Sequence, residues 1–128
     1  MVLLTIENRV ATLTLNRPEK RNALNDEMAK ELLGHLTSLK DNDACKVLII
    51  KANGDSFCAG ADLAYLQKLQ SNSYEDNLLD SQSLMQMFKA LYEFPKITIS
   101  QVDGPAFAGG CGLAGLCDFC FATPEAQF

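Results

Sequence analysis

The amino-acid sequence predicts an α/β fold in one domain over residues 1–128. Three observations support this fold class. Short β-branched and aliphatic runs recur along the chain, segments with apolar residues at helical spacing lie between them, and turns that contain glycine stand at several junctions. Strands that alternate with helices in this way form layered sheets with crossover connections of the usual hand. With 48% hydrophobic residues, the chain can also bury a core of ordinary size.

The first elements are a β-hairpin and an amphipathic helix. Leu3–Ile6 and Val10–Leu15 alternate in apolar character on either side of a short polar segment, which is typical of two strands joined by a turn. Asn25 is a suitable N-cap for a helix over residues 26–40. The apolar residues of that helix recur on one face, which we expect to be core: Met28, Leu32, Leu36 and Leu39.

The middle of the chain predicts a buried strand and two helices. Val47–Ile50 is an uninterrupted aliphatic run, which favours a strand covered on both faces. A short helix is expected over Asp62–Gln70, and Ser71–Asn77 has the composition of a mobile surface loop. A third helical stripe follows and ends before Pro95; it consists of Leu84, Met87, Phe88 and Leu91.

The last predicted elements surround a glycine-rich turn. Ile97–Val102 predicts a strand, Gly112–Leu116 the start of a helix, and Phe119–Ala122 a final short strand. This last strand would need neighbours on its far side, yet the chain ends soon afterwards at Phe128. We therefore expect the chain to be a fragment of a longer protein.

Composition and charge exclude several classes of function. Sixteen acidic residues against eleven basic ones give a formal charge of −5, and no basic run is longer than Lys20-Arg21, so nucleic acid is not expected as a partner. The first residues contain neither a basic segment nor an apolar stretch long enough for a signal sequence or a membrane span. We expect a cytoplasmic protein that does not enter a membrane.

The five cysteines predict free thiols in a reducing compartment, because their number is odd and their spacing is not that of a disulfide framework. Cys117 and Cys120 do form a CxxC pair. A metal or redox site would need a second ligand pair or an exposed helix start, whereas this pair lies in a mostly apolar run. We expect buried thiols and no metal site.

Two glycine turns about fifty residues apart carry the most functional information. Residues 57–63 and residues 104–113 each follow a β-rich run and open a helix-compatible run, so each presents backbone N–H groups at a helix start. Two such ends aimed at one point would hold a carbonyl oxygen as it becomes an enolate, at roughly 3–4 kcal/mol per donor. We predict Ala61 and Gly109 as the two donors. Tight packing of a strand against a helix is the alternative interpretation of either turn.

The composition of the second turn excludes other kinds of site. Residues 104–117 contain no Lys, Arg, Ser, Thr, Asp, Glu or His, so neither a Walker phosphate loop nor a nucleophile elbow is present. A dinucleotide fingerprint through Gly110, Gly112 and Gly115 would run into the predicted helix instead of ending at its start. We interpret that match as a coincidence of a glycine-rich stretch.

Charged residues elsewhere have structural interpretations beside functional ones. His35 is the only histidine and has no acid or thiol beside it in sequence, so we expect a surface or half-buried structural role. Asp103 and Asp118 flank the second turn and could organise it. Three cations precede the first helix, where they could be solvated or could hold a ligand phosphate: Arg17, Lys20 and Arg21.

With both turns described, the chain resembles the enoyl-CoA hydratase/isomerase family, also called the crotonase superfamily. Three ordered motifs carry the resemblance over nearly the whole chain: residues 10–24, which include Asn16-Arg17-Pro18 and Arg21-Asn22-Ala23-Leu24, residues 57–63, and residues 104–118. The resemblance implies a crotonase-like core, a spiral of ββα units, without the C-terminal helical part. It also implies that Ala61 and Gly109 hold a thioester oxygen.

An acyl-CoA would then be the substrate, with no other cofactor, and the resemblance implies further substrate-binding residues: Arg21, Ala23, Leu24, Ala59, Asp62, Leu63 and Gly112. Family members with two catalytic glutamates place the first of them where Gly112 stands, and the second would fall beyond Phe128. With glycine at this position, the chain resembles bacterial members that hydrate methylglutaconyl-CoA in leucine breakdown, and also single-glutamate isomerases.

The alternatives are an acyl-CoA-binding module without catalytic carboxylates, or a structural domain. The whole parent would be a homotrimer or hexamer.

Overall fold

Strands and helices alternate along the chain in the computed structural model, which describes all residues 1–128. The elements are β1 (Val2–Glu7), β2 (Val10–Leu15), a 3-10 turn (Pro18–Lys20), α1 (Asp26–Lys40), β3 (Val47–Ala52), α2 (Leu63–Ser71), α3 (Tyr74–Tyr92), β4 (Ile97–Val102), α4 (Gly109–Gly115) and β5 (Phe119–Ala122). The α/β class predicted from the sequence is confirmed. None of the helices combines the length and the hydrophobicity needed to cross a bilayer.

The five strands form one sheet in the order β1-β2-β3-β4-β5. β1 and β2 are antiparallel, paired from Val2 with Leu15 to Glu7 with Val10, and every later neighbour is parallel. The hairpin turn places Asn8 and Arg9 at φ values of 49° and 68°. This left-handed conformation at both turn residues matches the twist of the two strands. Because β3, β4 and β5 are parallel, the turns that follow them lie at the same edge of the sheet.

The core lies between the sheet and the helices α1 and α3. Asn25 caps α1 as predicted, since its side chain accepts a hydrogen bond of 2.9 Å from the N–H of Met28. The predicted apolar face of α1 is buried together with residues of β2, β3 and α3: Leu13, Leu15, Leu48, Ile50, Met87 and Leu91. Full burial of one such side chain contributes about 1.5–3 kcal/mol.

β3 is less enclosed than its sequence predicts. Leu48 and Ile50 are buried, whereas Val47 and Ile49 point to the opposite face and are only half-buried. The expectation that both faces are covered is therefore wrong for the described chain. The helices cover one face of this strand, and alternate residues of the run reach the other.

Two segments differ from the expected local structure. The predicted loop over residues 71–77 is wrong, because α2 continues to Ser71 and α3 begins at Tyr74. Ser73 caps α3 by accepting a hydrogen bond of 3.0 Å from the N–H of Asp76. Polar residues that cap a helix and polar residues of a loop have the same composition, so the pattern was ambiguous. α4 starts at Gly109, three residues before the predicted position.

All five cysteines are free, as expected, but they are not all buried. Cys45 and Cys58 are buried, Cys117 is half-buried, and Cys111 and Cys120 are exposed. Cys120 lies on β5, where every residue is exposed. The prediction of buried thiols for the Cys117 and Cys120 pair is therefore wrong for Cys120 and holds only in part for Cys117.

Candidate active site

The two glycine turns lie side by side at the edge of the sheet that follows β3 and β4. Cys58 and Ala106 form a short parallel bridge between them. The N–H of Cys58 donates to the carbonyl of Pro105 at 3.1 Å, and the N–H of Phe107 donates to the carbonyl of Cys58 at 2.9 Å. The sequence predicted that the turns would meet, and these bonds join their backbones.

Glycine permits this close approach at two positions. A Cβ on Gly110 would lie 2.3 Å from the carbonyl oxygen of Cys58, which no side chain can tolerate. Gly60 has a φ of +92°, and a Cβ there would lie 3.1 Å from the Cβ of Ala108. The two turns are therefore tightly packed, as the alternative interpretation expected. This packing brings the starts of α2 and α4 together.

The N–H groups of Ala61 and Gly109 donate hydrogen bonds to no group of the chain, although the residue that follows each of them does. The N–H of Asp62 donates to the carbonyl of Leu24 at 2.8 Å, and the N–H of Gly110 donates to the carbonyl of Phe107 at 2.8 Å. Ala61 and Gly109 line the same cavity of about 140 Å³, whose other lining residues are Leu24, Asn25, Tyr65, Leu84, Phe88 and Ala108. Two residues whose backbone N–H groups have no partner in the chain therefore line one cavity.

Each of these two residues follows a residue with unusual backbone geometry. Gly60 precedes Ala61 in the left-handed region, and Ala108 precedes Gly109 at φ 47° and ψ −114°. Alanine rarely adopts a positive φ, and strained residues of this kind cluster at functional sites. The predicted cap of α2 is confirmed, because the carboxylate of Asp62 accepts from the N–H of Ala64 at 2.9 Å and from that of Tyr65 at 3.4 Å.

A larger cavity of about 500 Å³ adjoins the first one at Ala61, which lines both. Most of the predicted substrate-binding residues lie on its wall, and its full lining is Glu19, Lys20, Arg21, Ala23, Ala59, Ala61, Asp62, Leu63 and Ala64. Leu24 lies instead on the wall of the smaller cavity, and Gly112 lines neither. The structure therefore brings together all the predicted site residues except Gly112.

Gly112 lies next to the ring of Phe88, which lines the smaller cavity. A Cβ on Gly112 would lie 3.3 Å from Cε1 of Phe88, so the ring occupies space that a side chain at position 112 would need. Phe88 and Leu84 belong to the apolar stripe of α3 that the sequence predicts as core, and their place at the cavity was not predicted. Both side chains are half-buried, whereas Met87 and Leu91 of the same stripe are buried. This difference in exposure is visible only in the structure.

Arg17 is engaged within the chain and is not free to hold a ligand phosphate. Its guanidinium donates to the carboxylate of Asp62 at 2.9 Å and to the carbonyl of Ala23 at 2.6 Å. The hydrogen bond from Arg17 holds the pKa of the Asp62 carboxyl below its ordinary value, and the N–H groups at the start of α2 lower it further. The exposed cations of the predicted cluster, Lys20 and Arg21, remain on the wall of the larger cavity.

Tyr65 carries the one ionisable side chain that lines the smaller cavity. Its hydroxyl donates to the carboxylate of Asp80, and burial together with this anion raises the pKa of the tyrosine. Tyr65 is therefore protonated at neutral pH. No carboxylate lines this cavity, so nothing on its wall can serve as a general base.

The remaining charged candidates lie away from both cavities. His35 is half-buried on α1, in agreement with the predicted structural role. Asp118 accepts hydrogen bonds from the N–H and the hydroxyl of Thr98, which join β4 to the start of β5. Asp103 accepts from the hydroxyl of Thr123 at 3.2 Å. Neither carboxylate accepts a hydrogen bond from the second turn, so the expectation that Asp103 and Asp118 organise it is not supported.

Comparison with known proteins gives a consistent result. A family model described as enoyl-CoA hydratase/isomerase matches residues 5–128. The crotonyl-CoA hydratase of Syntrophomonas wolfei is 37% identical over 99% of the chain and 48% of that protein. The trans-2-decenoyl-[acyl-carrier-protein] isomerase of Streptococcus mutans is 33% identical over 99% of the chain and 49% of that protein.

A solved structure agrees with these relatives. The enoyl-CoA hydratase of Shewanella pealeana superposes with a TM-score of 0.94 at 38% identity, covering 98% of the chain and 47% of that structure. The chain thus spans about half the length of the curated relatives it matches.

Proposed function

Because the chain belongs to the enoyl-CoA hydratase/isomerase family, we propose that its protein acts on an acyl-CoA thioester held by the N–H groups of Ala61 and Gly109. One observation carries this proposal. Two residues whose backbone N–H groups have no partner in the chain line the same cavity, on turns whose backbones are bonded to each other.

The proposed chemistry follows from where charge develops. Removing a proton beside a thioester carbonyl, or adding water to a conjugated double bond, turns that carbonyl into an enolate with negative charge on oxygen. Donors that are already oriented stabilise this charge without reorganising, and each contributes about 3–4 kcal/mol. The bridge between Cys58 and Ala106 supports such preorganisation, because it fixes the relative position of the two turns.

The two cavities suggest how the substrate would lie. We place the acyl group in the smaller cavity, which is lined largely by apolar residues, and coenzyme A in the larger one. Lys20 and Arg21 then offer exposed cations for the coenzyme phosphates. Since Ala61 lies on both walls, the thioester carbonyl would stand where the cavities meet.

The proton must be handled by a group outside these walls. No carboxylate lines the smaller cavity, and Phe88 stands beside Gly112 where the resemblance would place a glutamate. One base can remove and return a proton, which suits a shift of a double bond; hydration also needs an oriented water. Relatives named as a hydratase and as an isomerase match equally well in coverage, so the proposal includes both reactions.

Narrower proposals rest on the resemblance alone. Gly112 is the residue that suggests methylglutaconyl-CoA as the substrate, in leucine breakdown. We further propose that residues 1–128 form the N-terminal portion of one crotonase-like domain, in a cytoplasmic homotrimer or hexamer.

A pair of variants at Gly109 tests the proposed function. Gly109→Ala and Gly109→Pro both add a carbon near Cδ1 of Leu24, but only proline removes the N–H. In the protein at its natural length, we expect Gly109→Pro to lower turnover of a 2-enoyl-CoA by roughly 100- to 1,000-fold relative to Gly109→Ala. Hydration is measured as the loss of the enoyl absorbance. Isomerisation is measured from the position of the double bond in the product.

Folding of both variants is checked by circular dichroism before turnover is compared. Equal turnover in the two folded variants would refute the role of Gly109. Binding of acyl-CoA in calorimetry without turnover in the unmodified protein would instead support a binding module, and no affinity would support a structural domain.

A further inference from the structure

Arg17 connects the loop after β2 to both sides of Ala61. Nη1 donates to the carbonyl of Ala23 at 2.6 Å, and Nη2 donates to the carboxylate of Asp62 at 2.9 Å. The side chains of Arg17 and Asp62 are only 13% and 12% exposed. A guanidinium that is largely withdrawn from solvent requires partners in fixed positions, and both of its bonds are made to the segments that flank the site.

A line of hydrogen bonds leads from this guanidinium to the proposed donor. The carbonyl of Ala23 belongs to the same peptide unit as the N–H of Leu24, which donates to the carbonyl of Gly60 at 2.7 Å. That carbonyl in turn belongs to the same peptide unit as the N–H of Ala61. No peptide bond of the chain is cis, so the N–H of Ala61 points away from the bonded carbonyl of Gly60. The line therefore ends at an N–H that has no partner in the chain.

We propose that Arg17 is a positioning residue that orients and polarises the N–H of Ala61 through these two peptide units. The inference rests on the proposed function of that N–H as an oxygen donor. A cation bonded to the first carbonyl withdraws electrons along the line, and each successive hydrogen bond is strengthened by about 10–30%. The last N–H becomes a stronger donor than an isolated amide.

The second bond of Arg17 acts on the other side of Ala61. Asp62 donates its N–H to the carbonyl of Leu24 at 2.8 Å, so Ala61 is bonded to the Leu24 segment through both neighbours. The negative charge of Asp62 would oppose an oxyanion formed at Ala61, and the paired Arg17 compensates for it. Arg17 thus strengthens the donor and screens the nearest anion.

Gly109 provides an internal comparison because its peptide unit has different hydrogen-bond partners. The carbonyl of Ala108, in the same peptide unit as the N–H of Gly109, accepts from the N–H of Gly112 at 3.1 Å within α4. No charged side chain lies in the second turn. Loss of Arg17 should therefore weaken the Ala61 donor and leave the Gly109 donor unchanged.

The test compares the two donors directly, in the protein at its natural length. With nitrogen-15 labels on alanine and glycine, the amide proton of Ala61 should move upfield in Arg17→Met, while that of Gly109 stays at its position. Arg17→Lys, whose ammonium can still donate to the carbonyl of Ala23, should restore part of the change. Arg9→Met is the matched control, since the Arg9 side chain is exposed on the hairpin turn between β1 and β2.

A second measurement uses butyryl-CoA labelled with carbon-13 at the thioester carbonyl, which can be neither hydrated nor isomerised. Donors on the oxygen move this resonance downfield, and at saturation we expect Arg17→Met to reduce the displacement by about 10–30%. Arg21→Met should weaken binding with the displacement at saturation unchanged. If Arg17 only held a coenzyme phosphate, its variant would behave like Arg21→Met, and the proposal would be overturned.

The proposal would also be overturned if, in Arg17→Met, both the Ala61 amide and the bound carbonyl kept their wild-type chemical shifts. If Arg17→Met does not fold, Arg17→Gln replaces it, because glutamine can donate to Ala23 without a charge; wild-type positions in that variant would count equally against the proposal. A carbonyl that shows no displacement in the unmodified protein would instead contradict the proposed function. The amide measurement would still test the link between Arg17 and Ala61.

Discussion

The two proposed oxygen donors are held in place by different forces. Ala61 lies at the end of a hydrogen-bonded line from Arg17 and beside Asp62, so charged groups determine its surroundings. Gly109 lies in a turn without charged residues, where contact between Gly110 and Cys58 fixes the backbone. Equivalent N–H groups can thus depend on charge in one turn and on volume in the other. Variants that change only charge or only volume should therefore separate the two donors.

The largest loss of stability is expected for Gly110→Ala, which changes volume in the second turn. The added Cβ would lie 2.3 Å from the carbonyl oxygen of Cys58 and 2.7 Å from its Cβ. The turns would have to separate, so we expect the free energy of unfolding to fall by about 3 kcal/mol, at the upper end of overpacking effects. Urea denaturation measures the change.

Gly115→Ala is the matched control, because the same helix carries a glycine with open space around it. No atom lies within 4 Å of an added Cβ there. Alanine favours a helix over glycine by up to about 1 kcal/mol, so this variant should be as stable as the wild type or more so. Equal destabilisation by the two substitutions would show that close contact with Cys58 does not hold the second turn.

A smaller effect is expected where the second turn meets the wall of the smaller cavity. Gly112→Ala would place a Cβ 3.3 Å from Cε1 of Phe88, so the ring must move by a few tenths of an ångström. We expect a loss below about 1.5 kcal/mol. In urea denaturation, Phe88→Leu should relieve this loss, so that the double variant is more stable than the sum of the single effects predicts.

Additive effects of Gly112→Ala and Phe88→Leu would mean that the two residues do not compete for space. Coupling of about 0.5 kcal/mol or more would show that Phe88 occupies the volume left by the glycine. The sensitivity to volume would then extend from the turn to the proposed acyl site.

The sequence predicted those features that depend on neighbouring residues. The caps Asn25 and Asp62 are recognisable because a polar residue directly precedes a periodic apolar run, and both make the expected bonds. The pairing of the two glycine turns was also predictable, since parallel strands that precede them bring their ends to one edge of the sheet.

Features that depend on distant residues were not predictable in the same way. The partner of Arg17 is Asp62, 45 positions away, so the sequence left solvation and phosphate binding as its two interpretations. The place of Phe88 beside Gly112 depends on how α3 crosses α4, which periodicity does not fix. Ser73 was assigned to a loop because capping and loop residues have the same composition.

The smallest expected effect comes from pH and concerns only the first turn. Arg17 holds the pKa of Asp62 below its ordinary value, so ionised Asp62 adds stability that is complete above the unfolded-state pKa of about 3.9. That contribution is lost as the pH falls through the lower, folded-state pKa. Between about pH 6 and pH 3, the free energy of unfolding should therefore fall less in Arg17→Met and in Asp62→Asn than in the wild type.

Comparing the variants assigns this pH effect to the pair of Arg17 and Asp62. Glu31 and Asp118 also have lowered pKa values, from the N-terminal ammonium and from Thr98, and they contribute equally to every variant. Urea denaturation at several pH values should give Gly110→Ala a profile parallel to the wild type, because no titrating group is changed. If the stability of Arg17→Met changed with pH in parallel with that of the wild type, the proposed difference between the two turns would be wrong. Charge would then contribute no more to the first turn than to the second.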